Sequence, residues 1–168
     1  MDGVNAVSQC PIAPGETFTY KFKALQYGTS WYHSHYSLQY GEGLLGPLTI
    51  HGPSSGDYDE AKSPVMMSDW SHVPMFARWA GYVDGYNNTR GVDNILVNGT
   101  GIWKGAAPNG RYTLSVKKGR RYLLRLINTS IETAFVFAID NHKIQVVGAD
   151  FVPIMPYMTD HVVVGIGW

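Results

Sequence analysis

The chain is 168 residues long, and its 13 Lys and Arg are matched by 13 Asp and Glu, so it has no basic field of the kind that draws nucleic acid or an anionic membrane. No apolar run reaches the roughly 18–20 residues of a membrane-spanning helix, and Met1-Asp2-Gly3-Val4-Asn5 lacks the basic start and apolar centre of a signal peptide. The chain reads as soluble, with material for one good core or two smaller incomplete ones; 13% aromatic residues and 19 glycines suit short strands joined by many turns.

Pro14-Gly15 makes a turn that feeds residues 16–23, where alternation puts Phe18, Tyr20 and Phe22 on one face and predicts a half-buried strand. A second aromatic run covers residues 30–36. Gly41-Glu42-Gly43 interrupts the pattern, and residues 44–51 read as another strand, with Pro47 marking an edge or bulge position. Residues 53–63 are polar and turn-rich and read as an interdomain linker between a unit at 1–52 and a unit at 64–168.

Beyond the linker, residues 65–70 look like a strand, and the irregular stretch 71–90, with Trp79 and Tyr82, suits a short helix or a covering loop. Residues 111–116 alternate, Lys117-Lys118-Gly119 turns, and 122–128 resume with Leu124 and Leu126 on one face. Segments 134–139, 143–147 and 161–165 complete a strand every 8–12 residues or so, the spacing of a β-sandwich or barrel. About three strands precede the linker, too few to close a sandwich, so the all-β units are expected to be incomplete. No G-x-G-x-x-G, P-loop or G-x-S-x-G is present.

Cys10 is the single cysteine, so no internal disulfide can form. A lone cysteine serves as a small buried hydrophobe or, in a secreted protein, as half of a pair whose partner lies elsewhere. The triplets Asn87-Asn88-Thr89, Asn98-Gly99-Thr100 and Asn128-Thr129-Ser130 are glycan acceptor patterns. They tilt the reading toward a secreted, extracellular protein glycosylated at Asn87, Asn98 and Asn128.

The motif that carries chemistry is His33-Ser34-His35. On an extended strand, residues i and i+2 face the same side, about 6.5–7 Å apart at Cα. Two imidazoles so placed can clamp one ion, or give one ligand to each of two adjacent ions, and imidazole suits copper, zinc, iron and nickel alike. A solvated polar pair is the plainer alternative. The aromatic fence of Trp31, Tyr32 and Tyr36 argues for burial, and a buried neutral His pair needs hydrogen-bond partners or a metal.

Trp31-Tyr32-His33-Ser34-His35, followed by Gln39-Tyr40 and Gly43-Leu44-Leu45-Gly46-Pro47-Leu48, resembles the second copper-binding segment of the fungal laccases, which are multicopper oxidases. Asp2-Gly3-Val4 with Gln9-Cys10-Pro11-Ile12-Ala13-Pro14-Gly15 resembles the stretch just upstream. Val92-Asp93-Asn94-Ile95-Leu96-Val97-Asn98-Gly99, Arg125-Leu126-Ile127-Asn128 and Val164-Gly165-Ile166-Gly167 resemble the family's second domain. Asp57-Tyr58-Asp59-Glu60 and Ala138-Ile139-Asp140-Asn141-His142 lean toward the ascomycete branch. The resemblance covers nearly the whole chain, most weakly at 71–90.

The resemblance implies a three-domain enzyme of cupredoxin-like Greek-key β-sandwiches. This chain would be the later half of domain one and most of domain two. Such an enzyme holds copper, four ions in all. It takes single electrons from phenols or aromatic amines at a type 1 copper and reduces O2 to water at a trinuclear cluster. The resemblance puts His33 on one type 3 copper and His35 on the other. The other ligand segments, an upstream His-Trp-His-Gly and two near the C-terminus, would belong to the rest of the same polypeptide, and the isolated chain is expected to show no oxidase activity. Cys10 matches a family cysteine that bonds a partner near the C-terminus. Glu132 falls where the family places a carboxylate in the reducing-substrate pocket, where it would accept the phenol proton; a solvated loop glutamate is the alternative. Lignin-derived phenols, pigment precursors and plant defence compounds all remain open as substrates.

His51, His72, His142 and His161 are expected to be structural or exposed, and Met66, Met67, Met155 and Met158 to be core or loop residues rather than copper thioethers. A cupin also uses His-x-His, but its glutamate ligand comes about four residues after the second His, where this chain has Gln39 and Tyr40. A zinc enzyme with a distant third His and a secreted, non-catalytic β-sandwich binding module stay open.

Overall fold

The computed structural model describes residues 3–84, 91–104 and 110–167. Asn87 and the Met1-Asp2 start of the resemblance lie outside them. The described residues are mostly strands with one short α-helix, and no sheet among them closes into a barrel, which agrees with the expected all-β class.

β1 (Gly28–His33) pairs antiparallel with β2 (Leu45–Ile50), in register from Gly28 opposite Ile50 to His33 opposite Leu45. Tyr32 sits opposite Gly46, and a Cβ at position 46 would run into the Tyr32 ring, so only glycine lets that ring lie flat across the pair. Pro47 faces Trp31. Among the described residues β2 pairs with β1 alone, so the missing Pro47 N–H leaves no ladder bond unmade, in keeping with the edge position read from the sequence. Between the strands, a 3-10 turn at Gln39–Glu42 is closed by Gly43 in the left-handed region at φ 97°.

Residues 16–23 are not a strand, contrary to the alternation: they have no regular structure and no ladder partner among the described residues, with Tyr20 and Phe22 exposed. Alternation marks a segment able to form a sheet, but a strand exists only where a neighbour supplies the ladder, and no described residue does so here. Residues 111–116 fail in the same way.

The segment expected to be a linker is bonded to the later part of the chain. β3 (Glu60–Ala61) pairs in parallel with β6 (Tyr122–Leu123), Ser55 Oγ donates to the Val147 carbonyl, and the Asp59 N–H donates to the Arg121 carbonyl. That later part centres on β4 (Val65–Trp70), flanked by antiparallel β5 (Asn94–Val97) and parallel β7 (Leu126–Asn128). α1 (Met75–Val83) lies between β4 and β5 in sequence, the short helix that stretch suited. β8 (Phe135–Ala138) pairs with β11 (His161–Val164), and β9 (Ile144–Ala149) with β10 (Val152–Thr159). β10 carries Pro153 and Pro156, and its register shifts between Pro153 and Tyr157, as expected where prolines withhold donors.

Strand alternation builds the core. Val65 and Met67 point inward from β4 and meet Phe135 and Val164. This core is small for the mass. The chain exposes 12302 Å², against about 8,200 Å² for a compact monomer of its size by the usual surface scaling. The excess includes large apolar side chains such as Leu25, Val136 and Met155, the surface that closed sandwiches would cover. The parts before and after residue 52 are joined where Thr29 N–H donates to the Asp150 carbonyl and Arg125 donates to Thr29 Oγ1.

Asn128 corrects one expectation. It is 0% exposed, and its amide nitrogen donates to the carbonyls of Thr133 and Val164. A glycan acceptor must present that nitrogen to solvent, so Asn128 is a structural residue. Asn98 is exposed in a turn at φ 47°, with Oδ1 accepting from the Met66 N–H and Nδ2 donating to the Pro64 carbonyl at 3.2 Å, a longer contact at the surface than those of Asn128.

Candidate metal centre

β1 ends at His33, but Ser34 N–H still donates to the Leu44 carbonyl at 2.9 Å, so the backbone stays extended long enough to keep the two-residue alternation. Trp31, His33 and His35 therefore project to one side. The Trp31 and His33 rings stack at 4.3 Å, the Tyr40 ring meets His33 edge-on at 5.4 Å, and the His33 and His35 rings lie 6.0 Å apart. Together they line a cleft of about 480 Å³, with Gly167 from the chain's other end on its wall.

The tautomer of His33 is set by its partner. Nδ1 lies 3.0 Å from the Ser34 carbonyl oxygen, which can only accept, so Nδ1 carries the hydrogen and, in the neutral ring, Nε2 keeps its lone pair. An imidazole oriented by a backbone carbonyl through one nitrogen is ready to ligate through the other. Ser34, pointing the other way, donates to Gln39 Oε1 at 2.7 Å and accepts the Tyr36 N–H, which ties the motif to the turn at Gln39–Glu42.

The expected aromatic fence is differently built. Tyr32 goes to the opposite face over Gly46, Tyr36 is 48% exposed, and Trp31 with Tyr40 flank the histidines instead. His33 and His35 are both exposed rather than buried, because these residues screen one side of the pair only. Among the described residues no group of three or more His, Cys, Asp or Glu side chains could hold a metal ion. Two neighbouring imidazoles suit a soft or borderline transition ion, but they supply only part of a coordination sphere.

The other expected site residues lie apart from the cleft. Cys10 is a free, exposed thiol. Glu132 is exposed, on a loop whose backbone is bonded to Asp69. Asp69 is a residue that sequence reasoning missed. The signal was present: alternation along β4 puts position 69 on the inward face with Val65 and Met67, where an acid has no ordinary reason to be.

His72 lies outside the cleft. Its backbone N–H at 2.8 Å and its ring Nδ1 at 3.1 Å both donate to Asp93 Oδ2, and together they hold the Asp93 carboxyl below its usual 3.8. With the folded value depressed, this contact favours the fold above the usual carboxylate value, and the contribution is lost as pH falls through the lowered one.

Two family models match the chain, both described as multicopper oxidase, one over residues 1–55 and one over residues 61–168. The chain belongs to the multicopper oxidase family. It is 54% identical to a laccase of Arthroderma benhamiae over 99% of this chain and 26% of that protein, and 48% identical to laccase-2 of Botryotinia fuckeliana over 99% of this chain and 30% of that one. The crystal structure of the laccase from Botrytis aclada superposes with a TM-score of 0.89 at 46% identity, covering 99% of this chain and 32% of that one. The chain thus spans about a third or less of the length of these relatives. Membership supports the cupredoxin-like all-β reading and implies copper as the metal, so the cupin, the zinc enzyme and the binding module are not favoured.

Proposed function

We propose that this chain supplies the second copper-binding segment of a laccase-type multicopper oxidase, with His33 on one type 3 copper and His35 on the other. One observation carries the reading: two imidazoles open into a single cleft, 6.0 Å apart, with the His33 tautomer set so that Nε2 faces outward from its carbonyl partner. Copper, when bound, supplies the one-electron chemistry that links oxidation of a phenol or aromatic amine to reduction of O2 to water. The chain's own residues hold two ligands in a fixed orientation. Trp31 and Tyr40 restrict the His33 ring, and the Ser34–Gln39 bond anchors the turn after the motif.

In this reading the remaining ligands of a four-copper enzyme come from other parts of the same polypeptide, and residues 1–52 and 64–168 belong to two successive cupredoxin-like domains. Cys10, free and exposed, pairs with a cysteine outside this chain, and Asn98, exposed in its turn, carries a glycan. Both fit a secreted enzyme, for which lignin-derived phenols are one substrate class. Metal analysis of the oxidase that contains this chain is expected to return copper, with blue and near-ultraviolet absorption. A colourless protein, or one holding zinc, would sink the assignment.

Glu132 is proposed to accept the proton that a phenol loses as its electron leaves. Its exposure on a loop leaves the carboxylate open to a substrate. Glu132→Ala should lower kcat/KM for phenols by about a hundredfold, the lower end of the range for general-base contributions. Turnover of a dye that loses only an electron should stay within about twofold of the parent value. Equal losses on both would remove the proton-acceptor role.

A further inference from the structure

Asp69, at 8% exposure, is the one buried acidic side chain among the described residues. No Lys or Arg among those residues forms an ion pair with it. Three donors converge on it instead. Ile131 N–H donates to Oδ1 at 3.0 Å, and Glu132 N–H at 3.2 Å and Thr133 O–H at 2.9 Å donate to Oδ2. The Asp69 backbone N–H in turn donates to Ser130 Oγ at 3.1 Å. A buried carboxylate is costly unless donors satisfy it, and here all three donors come from the consecutive residues 131–133.

The loop is also held from its side-chain face. A Cβ at Gly41 would come within 2.7 Å of Ile131 Cδ1 and 3.0 Å of Met75 Cγ, so Ile131 is packed against the Gln39–Glu42 turn and the start of α1. Glu132 therefore sits between two residues fixed by different means: Ile131 by packing and an amide bond, Thr133 by its hydroxyl. Its own backbone is bonded to the same carboxylate. Only an acceptor at both oxygens satisfies this set, because an amide in place of the carboxylate would turn an NH2 group toward the donors on one side.

We propose that Asp69 is a positioning residue, whose carboxylate sets from inside the fold the loop that presents Glu132 to the reducing substrate. This rests on the role given to Glu132 above. Asp69 touches no substrate; it acts by restricting where the Glu132 carboxylate can go, and misplacement of a reacting group by about 1 Å can cost on the order of a hundredfold in rate.

The test uses Asp69→Asn, Glu132→Ala and the double variant in the copper-loaded oxidase that contains this chain, assayed with a phenol and with a dye that loses only an electron. Asp69→Asn should lower kcat/KM for the phenol by about tenfold, mainly through kcat. The dye should stay within about twofold, and amide exchange at Ile131 and Glu132 should quicken because their acceptor is changed. The double variant should be no worse on phenol than Glu132→Ala alone. If Glu132→Ala is selective for phenol but Asp69→Asn is silent, or lowers phenol and dye alike, the Asp69 role is overturned and the Glu132 role stands. If Glu132→Ala leaves phenol turnover intact, both are overturned.

Discussion

Replacing His33 with Ala in the oxidase that contains this chain should cut O2 consumption by at least on the order of a hundredfold, with a loss of bound copper to match. Loss of a residue that merely orients a ligating histidine costs about 10–100-fold in metal affinity or activity, and His33 is proposed as the ligand itself. Its surroundings give no substitute. The nearest rings are Trp31 and Tyr40, and no group of three or more potential ligands forms among the described residues. The effect should be confined to oxygen reduction: a phenol added without air should still bleach the blue absorption, because the type 1 centre is proposed to lie outside this chain. Oxygen uptake, copper content and anaerobic bleaching read the three parts separately. Retained oxygen uptake with full copper would show that His33 is not a ligand. Loss of bleaching as well would point to collapse of the fold rather than loss of one ligand.

How much of the fold and the site was legible from sequence depends on what each feature needs. The His33 and His35 pair was readable because it rests on a two-residue period that no tertiary context can alter once the backbone is extended. β2, β4, β8 and β11 fall within segments that the sequence reads as strands. The failures are cases where a partner decides. Residues 16–23 and 111–116 alternate as well as any strand, yet nothing among the described residues pairs with them. β10 pairs despite two prolines, because the register shift between Pro153 and Tyr157 accommodates them. Exposure of the two histidines could not be read from neighbouring aromatics, since Tyr32 turns to the opposite face. Asp69 was visible as an acid on an inward-facing position of β4, but the loop that needs it lies far along the chain, at the 62-residue separation of the Asp69–Ile131 bond.

Asn128→Ala should be strongly destabilising, at about 3 kcal/mol, as much as truncation of a core side chain costs. The acceptor triplet Asn128-Thr129-Ser130 describes three residues and nothing of their burial, and the structure gives the asparagine a different task. Nδ2 donates to the carbonyls of Thr133 at 2.8 Å and Val164 at 2.9 Å, while Oδ1 accepts the Ser130 N–H at 2.9 Å. Alanine strands all three groups in a site that is 0% exposed in the parent. A buried group left unpaired costs about 1–3 kcal/mol, and water entering the vacated space would recover part of the sum, which leaves roughly 3 kcal/mol. In an unfolding unit of roughly 150–250 residues that lowers Tm by about 6–12 °C, and by less in a larger one. The same residue joins the two functional regions: its backbone carbonyl accepts from Gly167, on the wall of the histidine cleft, and its side chain sets the start of the loop that reaches Glu132. Thermal unfolding of the variant, with peptide mapping of the parent oxidase at Asn128, checks both halves of the argument. A loss under about 1 kcal/mol, or a glycan found on Asn128, would mean that the side chain is not held in the interior as a structural bridge.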